Sequence, residues 1–283
     1  MSAIKELQEN LESTQTARFV TTMLRDISAN KLQVIRAAFE NNGAFYKEMR
    51  TLDLLVQAYA ERNNPTGLKK QKQKKIEKKV FVALTSNKRF FGTLNRNITS
   101  RLIQRLKKDS ESDAVVIGQT GRTLLENTEF APRCTYVEFE EDAPTSSEVF
   151  SLIRQLGNYS RIYMFYPTFI NSFRQEVGLI DITYHPIIQA DSVEADVDYI
   201  FEPDIEALLE FFETQVRLIL FNRVLLETKL AQTGARLSKM QRAREEAGEM
   251  VKEQRREIHK EVMTLQSMHL LETFAGFGKT NTI

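Results

Sequence analysis

From about Asp204 to Phe277 apolar residues recur at steps of three and four, and no proline interrupts them. In the lower half the series runs Leu237, Met240, Arg244, Ala247, Val251, Gln254, Ile258, Val262 (one step late), Leu265, Met268. A heptad-like seam with two polar interruptions predicts one long helix, on the order of 110 Å at about 1.5 Å per residue. No ordinary globular domain needs that length, so the seam requires a partner. The other proline-free stretch is the N-terminus. Residues 3 to about 60 predict a helix whose stripe is Leu24, Ile27, Lys31, Val34, Ala38, Asn41, Phe45, Met49, Leu52, Val56 and Tyr59. Further up, Leu208 to Leu230 leaves little polar face, which predicts burial on several sides.

Between the helices the period changes. Val80–Leu84 and Ala114–Ile117 are short continuous apolar runs, as expected of strands buried on both faces. Thr135–Phe139, Arg161–Tyr166 and an edge strand over Val177–Ile188 complete the strand set. Helices are expected around Ile98–Leu106, Arg122–Glu126 and Ser146–Leu156, the last capped by Ser146 or Ser147. Alternating strands and helices predict a small, mostly parallel sheet. All six prolines lie between 65 and 203, so the mixed region is an insertion between the two helices. The fold class is therefore α/β: a long antiparallel two-helix coiled coil formed by the N- and C-terminal helices, carrying an inserted small Rossmann-like domain. The expected boundaries are 1–62 for the first helix, 63–79 for a basic linker, 80–203 for the insertion, 204–278 for the second helix and 279–283 for a tail.

Composition narrows the function classes. A net charge of +1 over 283 residues gives no global pull toward nucleic acid or membrane. The lysine run from Lys69 to Lys79 has no interleaved aromatic on which bases could stack, so it is read as a solvated linker and no nucleic-acid partner is expected. A single cysteine, Cys134, excludes an internal disulfide and fits a reducing compartment. Met1–Asn10 lacks the apolar stretch of a signal peptide, and no window of eighteen apolar residues could span a bilayer.

Candidate chemistry is sparse. His259 and His269 are ten residues apart, too far to share a metal in one turn, and His185 is isolated. Cys134 opens a strand with no neighbouring histidine, so a small buried thiol is expected rather than a nucleophile. The run Glu138, Glu140, Glu141, Asp142 reads as a solvated loop. Gly118–Gln119–Thr120–Gly121 sits between a strand and a helix, where phosphates can bind. It lacks the third glycine of a dinucleotide fingerprint and any following Gly-Lys-Ser/Thr. The expected role of its glycines is a sharp turn. No catalytic residue, bound cofactor or metal is expected.

Four stretches resemble the gamma subunit, the central rotor shaft, of F-type ATP synthases. Phe19–Leu24 with Ser28–Leu32 is similar to that family's K-I-T-x-A-M…A-A-S-K-M segment, and Leu84–Asn95 to its S-T-D-x-G-L-A-G-G-L-N turn. Tyr199–Asp204 matches Y-x-x-E-P-D, and Ala235–Ala243 resembles A-x-R-M-x-A-M-x-x-A. Order, spacing and length agree over nearly the whole chain. The chain departs from the pattern at Phe91 and Thr93, which replace glycines, across His259–His269, where little of the family's N-x-x-R-Q-x-x-I-T-x-E remains, and at its Phe274–Gly278 end.

The resemblance implies a non-catalytic shaft, one copy per complex, turning inside a hexamer of three alpha and three beta subunits. Its foot would rest on a membrane c-ring beside the epsilon subunit, and ATP, ADP and Mg would be held by the partners. It implies a peripheral membrane protein on the cytoplasmic, or matrix- or stroma-equivalent, side of an energy-transducing membrane. Expected hexamer-contacting positions are Lys31, Arg236, Met240, Arg244, Arg255 and Arg256, and Met268, Leu271, Phe274 and Phe277 form an expected apolar bearing tip. The rival readings are a coiled-coil adaptor with an α/β head, a gamma-like paralogue serving another ATPase-driven motor, and a nucleotide-binding enzyme using Gly118–Gly121.

Overall fold

The computed structural model describes residues 2–63, 76–88, 91–139, 144–183 and 204–280. Its elements are α1 (Ser2–Asn63), β1 (Ile76–Leu84), α2 (Leu94–Lys108), β2 (Asp113–Ile117), α3 (Gln119–Leu125), β3 (Cys134–Val137), α4 (Ser146–Leu156), β4 (Tyr159–Phe169), β5 (Gln175–Asp181) and α5 (Ile205–Thr280). The chain divides into two units: residues 1–29 with 237–283, and residues 30–236.

In the larger unit the five strands form one sheet in the order β3-β2-β1-β4-β5. The first four are parallel, and β5 pairs antiparallel with β4. Each inner strand sends alternate side chains to opposite faces. Val80, Val82, Leu84, Ile162 and Met164 join α4 and the α5 residues Phe221, Val224 and Leu225 on one side. Phe81, Ala83, Ala114, Val116 and Phe165 meet Ile98, Leu102 and Leu106 of α2 and Leu125 of α3 on the other. Apolar coverage on both faces is why these strands are continuous apolar runs rather than alternating ones.

Several expectations shift. β1 begins at Ile76, inside the stretch expected as linker, and Lys78 and Lys79 are strand residues facing Asp113 (3.9 Å) and Asp109 (3.2 Å). Lys69–Lys75 lie outside the described residues, as do Glu140–Asp142, His185 and Tyr199–Pro203. The edge strand is Gln175–Asp181, two residues earlier than expected at its start, and 184–188 are not described. α4 is capped by Thr145, not by Ser146 or Ser147. Thr145 sits in extended geometry (φ −69°, ψ 155°), accepts from the Glu148 N–H, and its own N–H donates to the Glu148 carboxylate, a capping box. Asp204 likewise accepts the Ala207 N–H at 2.7 Å at the start of α5.

The expected α1 stripe needs a correction. Leu24, Ile27, Val34, Phe45 and Leu52 are 37 to 71% exposed. Most covered positions run one residue later: Arg25, Ser28, Leu32, Ile35, Phe39, Asn42, Tyr46, Asp53 and Ala60, with Ala38, Met49, Val56 and Tyr59 common to both readings. One residue is a rotation of about 100°. The side turned inward is set by what α5 offers, not by where α1 is most apolar. In the larger unit Arg223 of α5 lies 4.5 Å over the Phe39 ring and against Gly43, and Leu209 and Phe212 pack on Val56 and Ala60. These pairs run in opposite senses, so the helices are antiparallel there. One polar member of the seam is paired within α1: Asp53, fully buried, bonds Arg50 and accepts from Gln57 Nε2 at 2.8 Å.

In the smaller unit Gly248 lies beside Arg18. Covered positions there are Ile4, Leu7, Leu11, Thr14, Thr21, Arg25 and Ser28 of α1, and Met240, Ala247, Val251, Gln254, Ile258 and Val262 of α5. The seam in α5 is the one the heptad pattern predicts as far as Val262. Beyond it Leu265, Met268, Leu270, Leu271 and Phe274 are 41 to 72% exposed.

Candidate functional site

At the carboxyl ends of β1 and β2 the loop 85–87 and the turn 118–121 are stitched together. Thr85 Oγ1 donates to the Ile117 carbonyl at 2.6 Å and accepts the Gly121 N–H at 3.0 Å. The Thr120 N–H donates to the Ser86 carbonyl at 3.1 Å, and the Gln119 N–H to Asn87 Oδ1 at 2.8 Å. The amides a phosphate would need at this turn are therefore already engaged. The glycines make room instead. Gly118 has φ 100°, and a Cβ there would lie 2.8 Å from the Thr85 carbonyl oxygen; a Cβ on Gly121 would lie 2.5 Å from Thr85 Oγ1. Gly118→Ala is expected to cost about 1–3 kcal/mol through its positive φ, read as a lower urea midpoint.

Beside this loop lies a cavity of about 250 Å³, within the larger unit. Leu84, Ile117, Phe139 and Leu225 supply its apolar wall. Lys31 of α1, Lys88 of the loop, and Lys229 and Arg236 of α5 bring four cationic side chains to it. Arg236 stacks 4.8 Å over the Phe91 ring. Thr228 also lines the cavity; it is 4% exposed, and its hydroxyl has no hydrogen-bond partner.

Thus Lys31 and Arg236, singled out from the sequence as surface contacts, meet at one cavity. Thr228 and Lys229 were missed. The available signal was three polar residues, Glu227, Thr228 and Lys229, following a mostly apolar run. Met240, expected on a contact surface, is instead 7% exposed and occupied by the α1–α5 seam. Arg244 is half-buried, while Arg255 and Arg256 are exposed. Met268, Leu271 and Phe274 are exposed together at the end of α5, and the side chain of Phe277 lies outside the described residues.

The other candidates for chemistry are occupied structurally. Burial pushes the Cys134 thiol up from its usual range, against the nearby Arg133 charge, so the thiol form is favoured. His259 and His269 are exposed on α5. Among the described residues no group of three or more His, Cys, Asp or Glu could hold a metal, and no helix is long and apolar enough to cross a membrane. Glu138 pairs with Arg122 at 3.8 Å.

One buried acid–phenol pair joins β4 to α5. Burial, then the Glu227 charge and hydrogen bond, push Tyr166 up to about 12. Burial also raises Glu227, opposed by the Tyr166 hydrogen bond, the Arg223 charge and a backbone hydrogen bond at Phe169. A raised carboxyl favours folding below its ordinary pKa, and that contribution is lost as pH rises through the raised value. Tyr166→Phe is expected to cost about 1–3 kcal/mol at neutral pH. The deficit should shrink on acidification through the Glu227 pKa, because the neutral carboxyl is cheaper to bury. Urea unfolding of both chains across that range measures it.

In the larger unit α1 and α5 run antiparallel, and in sequence a mostly parallel five-stranded sheet is inserted between these two long terminal helices. Solved structures with this fold include the rotor of the Euglena gracilis mitochondrial ATP synthase and the central stalk of the Tetrahymena thermophila mitochondrial enzyme. The first has TM-score 0.60 and 11% identity over 93% of this chain and 99% of that one. The second has TM-score 0.57 and 16% identity over 79% and 99%. The family model described as ATP synthase matches residues 3–261, and the chain belongs to that family. Relatives include the ATP synthase gamma chains of Stenotrophomonas maltophilia (strain R551-3), 24% identical over 89% of this chain and 90% of that one, and of Symbiobacterium thermophilum, 25% identical over 87% and 88%.

Proposed function

We propose that this chain is the central-stalk rotor subunit of an F-type ATP synthase or ATPase, carrying torque between a membrane ion-driven c-ring and a hexamer of three alpha and three beta subunits. One copy serves each complex, next to an epsilon subunit, and it reaches the membrane only through the c-ring, on the cytoplasmic or equivalent side. It performs no chemistry; the hexamer holds ATP, ADP and Mg. The observation that carries this reading is the match over residues 3–261, which takes in α1, the whole inserted domain and α5 as far as residue 261.

The residues suit the task. A paired helix resists bending and twisting better than a single one. Arg255 and Arg256 offer exposed charge for contacts that can be exchanged as the shaft turns, since surface ion pairs are individually worth about 0–1 kcal/mol. The outward apolar side of α1, with Val20, Met23, Leu24 and Ile27 in the smaller unit, suits a surface covered by other subunits. Gentle affinity purification of the tagged chain, with native mass measurement and an ATPase assay, tests the proposal. The expected product is an ATPase containing three copies each of two related subunits per copy of this chain. A monomer or homodimer without ATPase partners would sink it and favour the adaptor.

A further inference from the structure

We infer that the outward face of α2 is a docking surface for an acidic polypeptide segment of a partner protein. The inference concerns the inserted domain by itself and does not depend on the rotor reading.

α2 carries Arg96, Arg101, Arg105, Lys107 and Lys108 and no acidic residue. Ile98, Leu102 and Leu106 bury its inner side against the sheet, and all five cations are exposed. At about 100° per residue, Arg101, Arg105 and Lys108 form one row. Arg96 and Lys107, three turns apart, form a second. Between the rows run Asn97, Ser100 and Gln104, uncharged and exposed. From Arg96 to Lys108 the face is roughly 18 Å long.

These charges are not balanced locally. Asp109 and Asp113, next in the chain, pair with Lys79 and Lys78, and Asp181 of β5 pairs with Arg161. Among the described residues none of the five cations forms an ion pair. Arg105 lies 5.7 Å over the Phe81 ring and Lys107 lies 6.0 Å over Phe130, contacts that steady the two heads without neutralising them.

Helix stability does not account for the pattern either. Arg105, Lys107 and Lys108 stand in the last turn, where cations suit the helix dipole. Arg96 stands in the first turn, where positive charge is disfavoured, and no acid there offsets it. Arg101 and Arg105 are like charges four residues apart, which is destabilising. Charge held against the local preference calls for a complement from outside.

That complement is a polypeptide. The whole chain, at net charge +1, has no pull toward an extended polyanion or an anionic membrane. The face exposes no large apolar side chain to enter a bilayer and no ring on which bases could stack. The guanidinium forks of Arg96, Arg101 and Arg105 match carboxylates in bidentate pairs, and the amides and hydroxyl between the rows suit a polypeptide's own polar groups.

The test is fluorescence anisotropy of a labelled helical glutamate–alanine peptide titrated with the full-length chain. A glutamine–alanine peptide, duplex DNA and vesicles of phosphatidylglycerol and phosphatidylcholine are run beside it. The acidic peptide should bind saturably, more weakly as salt rises, and about tenfold or more tighter than the neutral one. Arg96→Glu combined with Arg101→Glu should weaken it roughly tenfold or more. Arg154→Glu, exposed on α4, should change it less than about twofold. The double variant should also raise the urea midpoint of the free chain, since it puts an acid in the first turn and opposite charge four residues before Arg105. Equal affinity in the double variant, or no preference for the acidic peptide, would overturn the inference. Vesicles or DNA binding more tightly than the peptide, and released by the same substitutions, would overturn the choice of a polypeptide. A urea midpoint lowered by the double variant would mean that the chain's own carboxylates cover the face, and would overturn the outside partner.

Discussion

Replacing Phe221 by alanine is expected to cost about 3–5 kcal/mol of folding stability. Phe221 is fully buried, on α5, in the cluster that joins that helix to β1, β4 and α4. Its ring fills the layer between a sheet face and two helices, so the surroundings cannot collapse into the gap without moving a strand. The cost therefore includes the lost transfer free energy and the cavity left behind. Phe173→Ala is the control: that ring is 80% exposed, in the turn between β4 and β5, and its loss should stay within about 0.5 kcal/mol. Urea unfolding of the two variants checks the contrast. A Phe221→Ala cost no larger than that of Phe173→Ala would mean that α5 is not anchored to the sheet through this ring.

That anchoring was legible in the sequence. Leu208 to Leu230 has too little polar face for a helix exposed on any broad side, and the buried positions from Leu209 to Leu230 bear this out, with Phe211 the exception at 50% exposure. The strands were equally legible, because a strand covered on both faces must be a continuous apolar run. β3 and β5 were readable only approximately. They are the edges of the sheet, half-covered, and their patterns are correspondingly weak.

The α1 seam was misread for a physical reason. Its most apolar stripe and its buried stripe are neighbours on the helix, and periodicity cannot say which one a partner covers. Ser28 and Asp53 are buried while Val34 is 71% exposed; the hydroxyl and carboxylate find partners within α1 itself, Ser28 at the Leu24 carbonyl and Asp53 at Arg50 and Gln57. An apolar stripe left outward is what the proposed rotor role requires of a surface that other subunits cover. The cavity was illegible for another reason. Lys31, Lys88 and Lys229 come from three elements far apart in sequence, and nothing local to any one of them marks a shared site. At Gly118–Gly121 the expectation of a sharp turn was met at Gly118 by its positive φ; the stitching by Thr85 could not have been foreseen, since it depends on β1 and β2 being paired.

Truncation after Leu265 is expected to impair the assembled motor far more than it impairs folding. In the smaller unit Gly248 sits beside Arg18. Sixteen residues back along α1 is Ser2, and sixteen forward along α5 is Thr264. Past that register Met268, Leu270, Leu271 and Phe274 are 55 to 72% exposed, so removing them takes away little that the chain itself has buried. Resting on the rotor reading, the proposal is that these side chains sit in an apolar collar of the hexamer and act as a bearing. Each is worth about 1.5–3 kcal/mol when fully buried. Losing even about 3 kcal/mol of that shifts an equilibrium constant by more than a hundredfold. The truncated chain should thus unfold with an unchanged urea midpoint, yet be retained poorly in the purified complex. Ion pumping driven by ATP should fall further than ATP hydrolysis, because an uncentred shaft lets the hexamer turn over without transmitting torque. The comparison requires the intact and truncated chains in the same membranes, with hydrolysis and pumping measured together. Unchanged retention and an unchanged ratio of pumping to hydrolysis would refute the bearing and leave the exposed end of α5 without a role in the motor.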